Sequence, residues 1–384
     1  MGRITTRDLL KTARRELEVV VADRPQALRA LDGLDVETTR VDVTDPASLR
    51  RALRGAFATI ASLPYRFNLE AMNGALAAGA HYVDLGGLFH MTRRQLTLSR
   101  AFERAELMAI LGVGSAPGIL NVLAVRAAEG LDRVREIHCM VGAVDRTRLE
   151  GEPPPLGFSY SPDTLLDEFE LESAVFRAGR LRLVPALDPR ERVLVRFPAP
   201  IGAQTLDTTL HSEVATLPGS FAARGVREVT FRQGFEDGFA DRLRLVASLG
   251  LIGTTPLPGA GVAPRQVLLE LLRQRPAPKV VGKPDKHEVL RVVVRGQEGR
   301  GRAARAREVT ADCYAGPRAG WGIGPDIDTG APPSIAVQLL ASGELPLRPG
   351  VWAPEQVVPV APFVRELERR GMRVRVRVRD VRSR

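Results

Sequence analysis

The feature that most constrains this chain is a short apolar run closed by an acid, Val19-Val20-Val21-Ala22-Asp23. Ahead of it, Leu10, Ala13 and Leu17 recur at helical spacing within Arg3–Leu17, with arginines between them. A helix that feeds a strand apolar on both faces is half of a βαβ unit, and the strand reads as a central one in a parallel sheet. When such a strand ends on an acid, the unit reads as a dinucleotide-binding one, in which a glycine-rich turn delivers the helix N-terminus to a pyrophosphate. Gly2 precedes Asp23 by 21 positions, which fits the roughly 20 residues from that turn to the ribose-binding acid. The turn's first two glycines and the strand before them have no counterpart here. The expectation is therefore a nicotinamide-cofactor fold whose start is cut off or set too late, with an empty slot in its sheet beside Val19–Ala22.

Downstream, strands and helices alternate with short connections. Val36–Val41 is a strand, and Asp45-Pro46 caps the next helix with Asp at the N-cap and Pro at the first helical position. Ala58–Ser62, Tyr82–Asp84 and Met108–Gly112 read as strands, and Asn68–Ala78 and Gln95–Glu106 as helices. This rhythm means a doubly wound, Rossmann-like parallel sheet. After Gly112 the chain becomes strand-rich, with Val134–Val141, Val193–Phe197, Val226–Phe231, Val289–Val294 and Val309–Tyr314 broken by helices at Phe239–Leu249 and Arg265–Arg273. Gly151-Glu152-Pro153-Pro154-Pro155 and Arg275-Pro276-Ala277-Pro278 read as linkers. The expected fold class is α/β, a Rossmann-like sheet lacking its first strand, with an inserted α+β substrate domain. Residues 1–118 form the dinucleotide-binding domain, 119–330 a substrate and dimerisation domain, and 331–384 a segment returning to the first domain. The tail Arg373–Arg379 alternates Arg and Val and reads as an edge strand whose charge guards it from pairing.

Composition narrows the function classes. The net charge is +10, yet lysine occurs only at Lys11, Lys279, Lys283 and Lys286, and the many arginines are scattered without aromatic interleaving. A nucleic-acid partner calls for a gathered basic patch, so none is expected. No apolar run approaches the roughly 20 residues of a membrane span, and no signal peptide is visible at Met1–Thr6. Cys139 and Cys313 give neither a disulfide framework nor a metal spacing, which suits a reducing cytoplasm.

The residues that carry candidate chemistry are few. Asp23 at the end of its strand suits ribose hydroxyls and repels a 2′-phosphate, although an Asp capping the helix at Pro25 reads the same way. Arg24 softens that preference, so NAD is favoured and NADP stays possible. Asp42 ends the following strand, near where an adenine would lie. Tyr82-Val83-Asp84-Leu85-Gly86-Gly87 sets Asp84 at the ligand-binding edge of a parallel sheet, as a catalytic group or a turn former, with glycines that let a backbone approach closely. Ala116-Pro117-Gly118 opens a helix near the same edge, where it holds a nicotinamide amide or caps the helix.

Taken together these stretches resemble the saccharopine dehydrogenase family, and within it the L-lysine 6-dehydrogenase-like members. The resemblance runs through Ser62-Leu63-Pro64-Tyr65, Tyr82–Gly87 and Ala116-Pro117-Gly118, then Phe158-Ser159-Tyr160-Ser161-Pro162 and Gly179-Arg180-Leu181. It continues through His211-Ser212-Glu213, Thr216-Leu217-Pro218, Phe231-Arg232-Gln233-Gly234, Ser342-Gly343, Pro349-Gly350-Val351 and Pro354-Glu355. It implies an NAD(P)-dependent oxidation at a C–N bond of an amino acid or imine, in lysine metabolism, by a homodimer. Carried over by position, Gly2, Asp23, Arg24, Asp42, Ser62, Leu63, Pro64, Gly86, Pro117 and Gly118 fall to the cofactor, and Tyr65 and Asp84 lie where cofactor and substrate meet. His211 and Glu213 would relay a proton or hold an amine, and Arg232 would pair with a substrate carboxylate; a satisfied His211 and an intramolecular ion pair for Arg232 are the competing structural readings. The family's cysteine before paired glycines is displaced here, at Cys139 ahead of Met140-Val141-Gly142, which points away from a strict saccharopine reductase. The competing functional class is a non-catalytic relic of the fold, used for binding or assembly, because a missing turn removes donors that cradle a pyrophosphate.

Overall fold

The computed structural model describes residues 1–13, 17–31, 33–151, 156–158, 160–236, 238–276, 278–318 and 326–381. The end of the expected Arg3–Leu17 helix, the Pro153–Pro155 run, Ser159 and Ala277 fall wholly or partly outside them. The first helix spans Gly2–Thr12 and is followed by the strand Val20–Asp23, which pairs in parallel with Glu37–Arg40. Between these strands runs a short helix at Pro25–Leu28, with Pro at its first turn. Asp45 caps the helix Pro46–Ala52 by accepting the Ala47 N–H at 2.8 Å.

A second, four-stranded parallel sheet holds, in order, Gly350–Trp352, Met108–Ile110, His81–Asp84 and Ala58–Ala61. Among the described residues no ladder joins it to the Val20–Asp23 pair. The slot expected beside Val19–Ala22 matches this gap between the two parallel ladders, although the strand is less buried than a central strand would be. With a partner on one side only, Val20 stays 43% exposed and the rest of the strand is half-buried. The helix expected at Gln95–Glu106 is instead two, Phe89–Leu96 and Ser99–Arg104.

Arg148–Glu150 pairs antiparallel with Lys279–Val281, and the other strands build a nine-stranded mixed sheet. Its centre is the pair of long strands Arg133–Asp145 and Lys286–Glu298, which run antiparallel. Glu228–Gly234 adds to the first in parallel, and Arg305–Ala315 to the second in antiparallel sense. The tail Arg373–Asp380 closes that edge against Arg305–Ala315. The end of the chain thus serves both sheets, since Gly350–Trp352 extends the parallel one and the tail extends the mixed one.

One face of the mixed sheet is apolar because the period of 2 places Ile137, Cys139 and Val141 beside Val294, Val292 and Leu290. Helices Ile119–Ala128, Glu213–Ser220 and Val360–Arg369 supply Leu123, Leu217 and Phe363 to the same core. A smaller core joins the helices Pro162–Glu170 and Phe239–Ser248 through Leu166, Phe169, Phe239 and Leu243.

A buried ion cluster fixes the first helix. Asp8 is fully buried and receives Nε and Nη2 of Arg370 at 2.8 Å, while Ser334 donates to it at 2.7 Å. Arg370 also reaches Glu366 at 2.8 Å. Gly330, in the helix Ile327–Ser342, lets Ile4 pack close, since a Cβ there would lie 2.6 Å from Ile4 Cγ2.

Candidate active site

The core face of the mixed sheet changes character at one end. Beyond Val141 the same face carries Ala143 and Asp145, beyond Leu290 it carries Glu288 and Lys286, and beyond Phe231 it carries Gln233. A cavity of about 530 Å³ opens there between this sheet end, the loops of the parallel sheet and the small helical cluster.

Two walls face each other across it. One comes from the parallel sheet: Met1, Gly2, Ser62–Tyr65, Leu85–Leu88 and Ser115–Pro117. A Cβ on Gly2 would lie 3.5 Å from Ser62 Oγ, so the helix start and the Ser62–Tyr65 loop are direct neighbours. The first turn of that helix carries no acid, which leaves the positive end of its dipole beside the cavity. A dinucleotide fits this wall in part. The helix start suits a phosphate, the Leu85–Gly87 and Ala116–Pro117 backbone suits an amide-bearing ring, and Asp23 ends its strand half-exposed. The Asp23 carboxylate accepts the Arg24 N–H at 2.7 Å. Asp42 closes the neighbouring strand, and hydrogen bonds from Thr44, side chain then backbone, hold its carboxyl below the usual range. Asp23, Arg24 and Asp42 lie at the two-stranded sheet and do not line the cavity.

The opposite wall carries the titratable groups. His211 stacks on Phe231 with ring centroids 3.7 Å apart, and its Nδ1 pairs with Glu213 Oε2 at 2.6 Å. Burial pulls the His211 pKa down, but the charge and hydrogen bond of Glu213, with the charge of Glu168, outweigh it and raise the net value. His211 lines the cavity. Glu168, on the helix Pro162–Glu170, is 1% exposed, and burial lifts its pKa to about 7. Its Oε2 accepts from Tyr160 Oη at 2.8 Å and from Gln233 Nε2 at 2.6 Å. A carboxyl that exchanges its proton near neutrality and an imidazole paired with a second carboxylate thus share one cavity, the arrangement general acid–base work requires.

Several expected site residues lie elsewhere. Asp84 is fully buried and does not reach the cavity. Its Oδ1 accepts the N–H groups of Gly112 at 2.6 Å and Gly86 at 3.0 Å, and its Oδ2 accepts from Gln95 at 2.6 Å and Tyr82 at 3.1 Å. It ties together the loops that form the first wall. Arg232 alternates with Phe231 and Gln233 and so points to the other face of the sheet. There its Nε donates to the Glu191 carbonyl at 3.0 Å and its Nη1 to Thr230 at 2.7 Å, which leaves it unable to meet a substrate in this cavity. Gly118 caps the helix Ile119–Ala128: its N–H donates to Asn121 at 2.9 Å, and a Cβ would sit 2.2 Å from the Gly114 carbonyl. Glu213 acts behind His211, buried and off the cavity surface.

Tyr65 does line the cavity, but its hydroxyl donates to Asp167 at 2.7 Å across the cleft. Burial, then that bond, push its pKa upward. Asp167 is in turn paired with Arg265 at 2.6 Å, so Tyr65 fastens the two walls together. Sequence reasoning misses Glu168. Tyr160 and Gln233, which hold it, lie in two of the stretches that carry the resemblance, and they are the signal that points to it.

Residues 1–110 match the family model described as the saccharopine dehydrogenase NADP binding domain, and residues 114–372 match that of the saccharopine dehydrogenase C-terminal domain. A carboxynorspermidine synthase of Vibrio alginolyticus is 28% identical over 177 residues, which is 44% of this chain and 40% of that protein. The chain therefore aligns with about two fifths of the length of the curated relatives it matches. Among solved structures, the apo saccharopine dehydrogenase (L-Glu forming) of Saccharomyces cerevisiae superposes with a TM-score of 0.71 at 16% identity, covering 98% of each chain. The homospermidine synthase of Legionella pneumophila, in complex with NAD, superposes at 0.65 with 12% identity, covering 98% of this chain and 89% of the other. At such identities the superpositions show a shared fold.

Proposed function

The chain belongs to the saccharopine dehydrogenase family, and from that premise we propose that it is an oxidoreductase acting on a C–N bond of an amine-bearing substrate, an amino acid or imine of the lysine 6-dehydrogenase or saccharopine dehydrogenase type. Its cofactor is NAD(P), which when bound exchanges a hydride with the carbon carrying the nitrogen. The observation that supports the reaction type most is the pairing of His211 and Glu168 in one cavity with the Leu85–Gly87 and Ala116–Pro117 backbone.

Glu213 orients the His211 ring through Nδ1, so that Nε2 accepts the proton an ammonium must lose before its carbon gives up hydride. Glu168 is suited to hold or return a second proton as water adds to the resulting C=N bond, because its pKa of about 7 populates both forms near neutrality. Ser212, bonded to the Gly87 carbonyl, keeps the His211 loop registered against the first wall. Asp23 at its strand end supports a preference for NAD over NADP, since a carboxylate repels a 2′-phosphate.

The test is cofactor reduction, followed spectroscopically with NAD and with NADP, over a panel of lysine, saccharopine and simple diamines. Turnover that falls by about 100-fold or more in His211→Gln supports the reading, a size typical of a lost acid–base group. No turnover on the panel, together with no calorimetric binding of NAD or NADP, would refute it.

A further inference from the structure

One strand holds both groups of the candidate acid–base pair. On the cavity side of Glu228–Gly234, Phe231 stacks on the His211 ring, and Gln233, the next residue on that face, reaches Glu168. Pairing fixes the register of this strand. Gln233 lies opposite Val141 in the parallel ladder and opposite Asp207 in the antiparallel one. Thr209, just beyond Asp207, is brought to the same place, and its Oγ1 also accepts from Gln233 Nε2, at 3.2 Å.

Tyr160 arrives from another direction. It directly precedes Ser161, whose side chain caps the helix Pro162–Glu170 by accepting the Thr164 N–H at 3.5 Å. From there its hydroxyl reaches Glu168, roughly two helical turns along, at 2.8 Å. Of the charged groups nearby, His211 acts on Glu168, and Glu288 acts on Tyr160. On the Glu168 helix itself, Asp167 and Glu170 turn to Arg265 of the helix Pro264–Gln274. The helix Phe239–Ser248 packs against it through Phe239 and Leu243.

Both donors go to one oxygen of Glu168. Oε2 accepts Tyr160 Oη at 2.8 Å and Gln233 Nε2 at 2.6 Å. A protonated carboxyl keeps one carbonyl oxygen and carries a hydrogen on the other. The hydroxyls of Tyr160 and Thr209 can turn and accept, but an amide nitrogen only donates. A proton on Oε2 would face the Gln233 N–H, so Oε2 stays the carbonyl oxygen and the proton belongs on Oε1. Burial lifts the Glu168 pKa to about 7, and the bonds from Tyr160 and Gln233 pull against it by favouring the carboxylate.

Resting on the oxidoreductase reading above, we propose that Gln233 and Tyr160 are positioning residues for the reaction, which occupy Oε2 of Glu168 and so confine proton exchange with the substrate to Oε1. A proton held on one oxygen meets the substrate nitrogen, or an adding water, in a single geometry, whereas an untethered carboxyl would present either oxygen. Because Phe231 and Gln233 share a strand, that oxygen is also registered against His211.

Infrared difference spectra of the full chain test this without turnover. Each protein is compared with its own Glu168→Gln counterpart over roughly pH 5 to pH 10, which isolates the Glu168 bands. A carbonyl oxygen that accepts two hydrogen bonds absorbs at lower frequency than one that accepts a single bond. With the proton on Oε1, the C=O band of protonated Glu168 should move up in both Gln233→Met and Tyr160→Phe. The pH midpoint at which the band disappears should rise by about one unit in each, the size of one lost charge-assisted hydrogen bond. A merely structural role predicts the opposite sign, because a loosened site admits water and the midpoint falls toward the ordinary 4.5. A band that stays in place, or a midpoint that stays or falls, would overturn the proposal. Thermal unfolding shows which variants are folded, and either one alone decides the matter. In turnover, Gln233→Met should lower kcat by about tenfold with KM changed less than about threefold. A pH profile of kcat that does not follow the infrared midpoint would also overturn it. Failure of the oxidoreductase reading looks different: band and midpoint move as expected, yet no hydride reaches NAD or NADP.

Discussion

Replacing Glu168 by Gln removes one titration from the folded protein and leaves its hydrogen bonds largely in place. Tyr160 and Gln233 both donate to Oε2, an acceptor that an amide oxygen reproduces. The wild-type carboxyl rises from an ordinary value of 4.5 to about 7 on folding. A raised acid pKa means that the folded state binds the proton more tightly. Its contribution is fully present below pH 4.5 and is lost as the pH climbs through 7. A tenfold change in proton affinity is worth about 1.4 kcal/mol, so the full loss is about 3 kcal/mol, of which about 2.5 kcal/mol falls between pH 5 and pH 8. Urea unfolding of both proteins at these two pH values measures the effect. The wild type should lose about 2–3 kcal/mol more stability than Glu168→Gln on going from pH 5 to pH 8. Because the charge of Glu168 helps raise the His211 pKa, the comparison reads the Glu168 titration together with the part of the His211 titration that depends on it. Equal pH dependence in the two proteins would refute the reasoning, because it would mean that Glu168 is solvated or already matched by a positive charge.

Other perturbations separate positioning from chemistry. Arg370→Met leaves Asp8 charged and buried, so unfolding by urea should show a loss of about 3–5 kcal/mol, whereas pairing it with Asp8→Leu should restore most of that. Asp84→Asn turns an amide N–H₂ toward the donors Gln95 and Tyr82 and should destabilise by about 2–3 kcal/mol in the same assay. Tyr65→Phe loses one bond to Asp167, at about 1 kcal/mol in thermal unfolding, with kcat largely kept; a collapse of kcat would show that the phenol takes part in the chemistry.

Much of the architecture is legible in the chain because it is written in local patterns. The Asn68–Ala78 helix, the Asp45-Pro46 cap, the succession of short parallel strands and the alternating Arg–Val tail follow from periodicity and capping chemistry that act over a few residues. The two-sheet rhythm and the Ser62–Tyr65, Gly86–Gly87 and Ala116–Pro117 wall are visible in the same way. The helix Pro162–Glu170 escapes such reading because it sits among Pro-rich and strand-rich stretches, and its apolar face is satisfied by Phe235 and Phe239 far along the chain.

The roles of single side chains are less legible. Asp84 and Arg232 carry the right chemistry in the right motifs, yet one is consumed by backbone N–H groups and the other is turned to the far face of its sheet. Glu168 and Asp328 look like ordinary surface acids until the fold buries them beside the cavity at the end of an apolar sheet face. Which strands and helices form, and that an acid closes the strand at Asp23, can be read from the chain alone, because propensity and periodicity are properties of neighbouring residues. Which acids lose their water cannot. Desolvation depends on what residues distant in sequence place around a carboxyl once the chain is folded, and that sets its pKa and what it can bind.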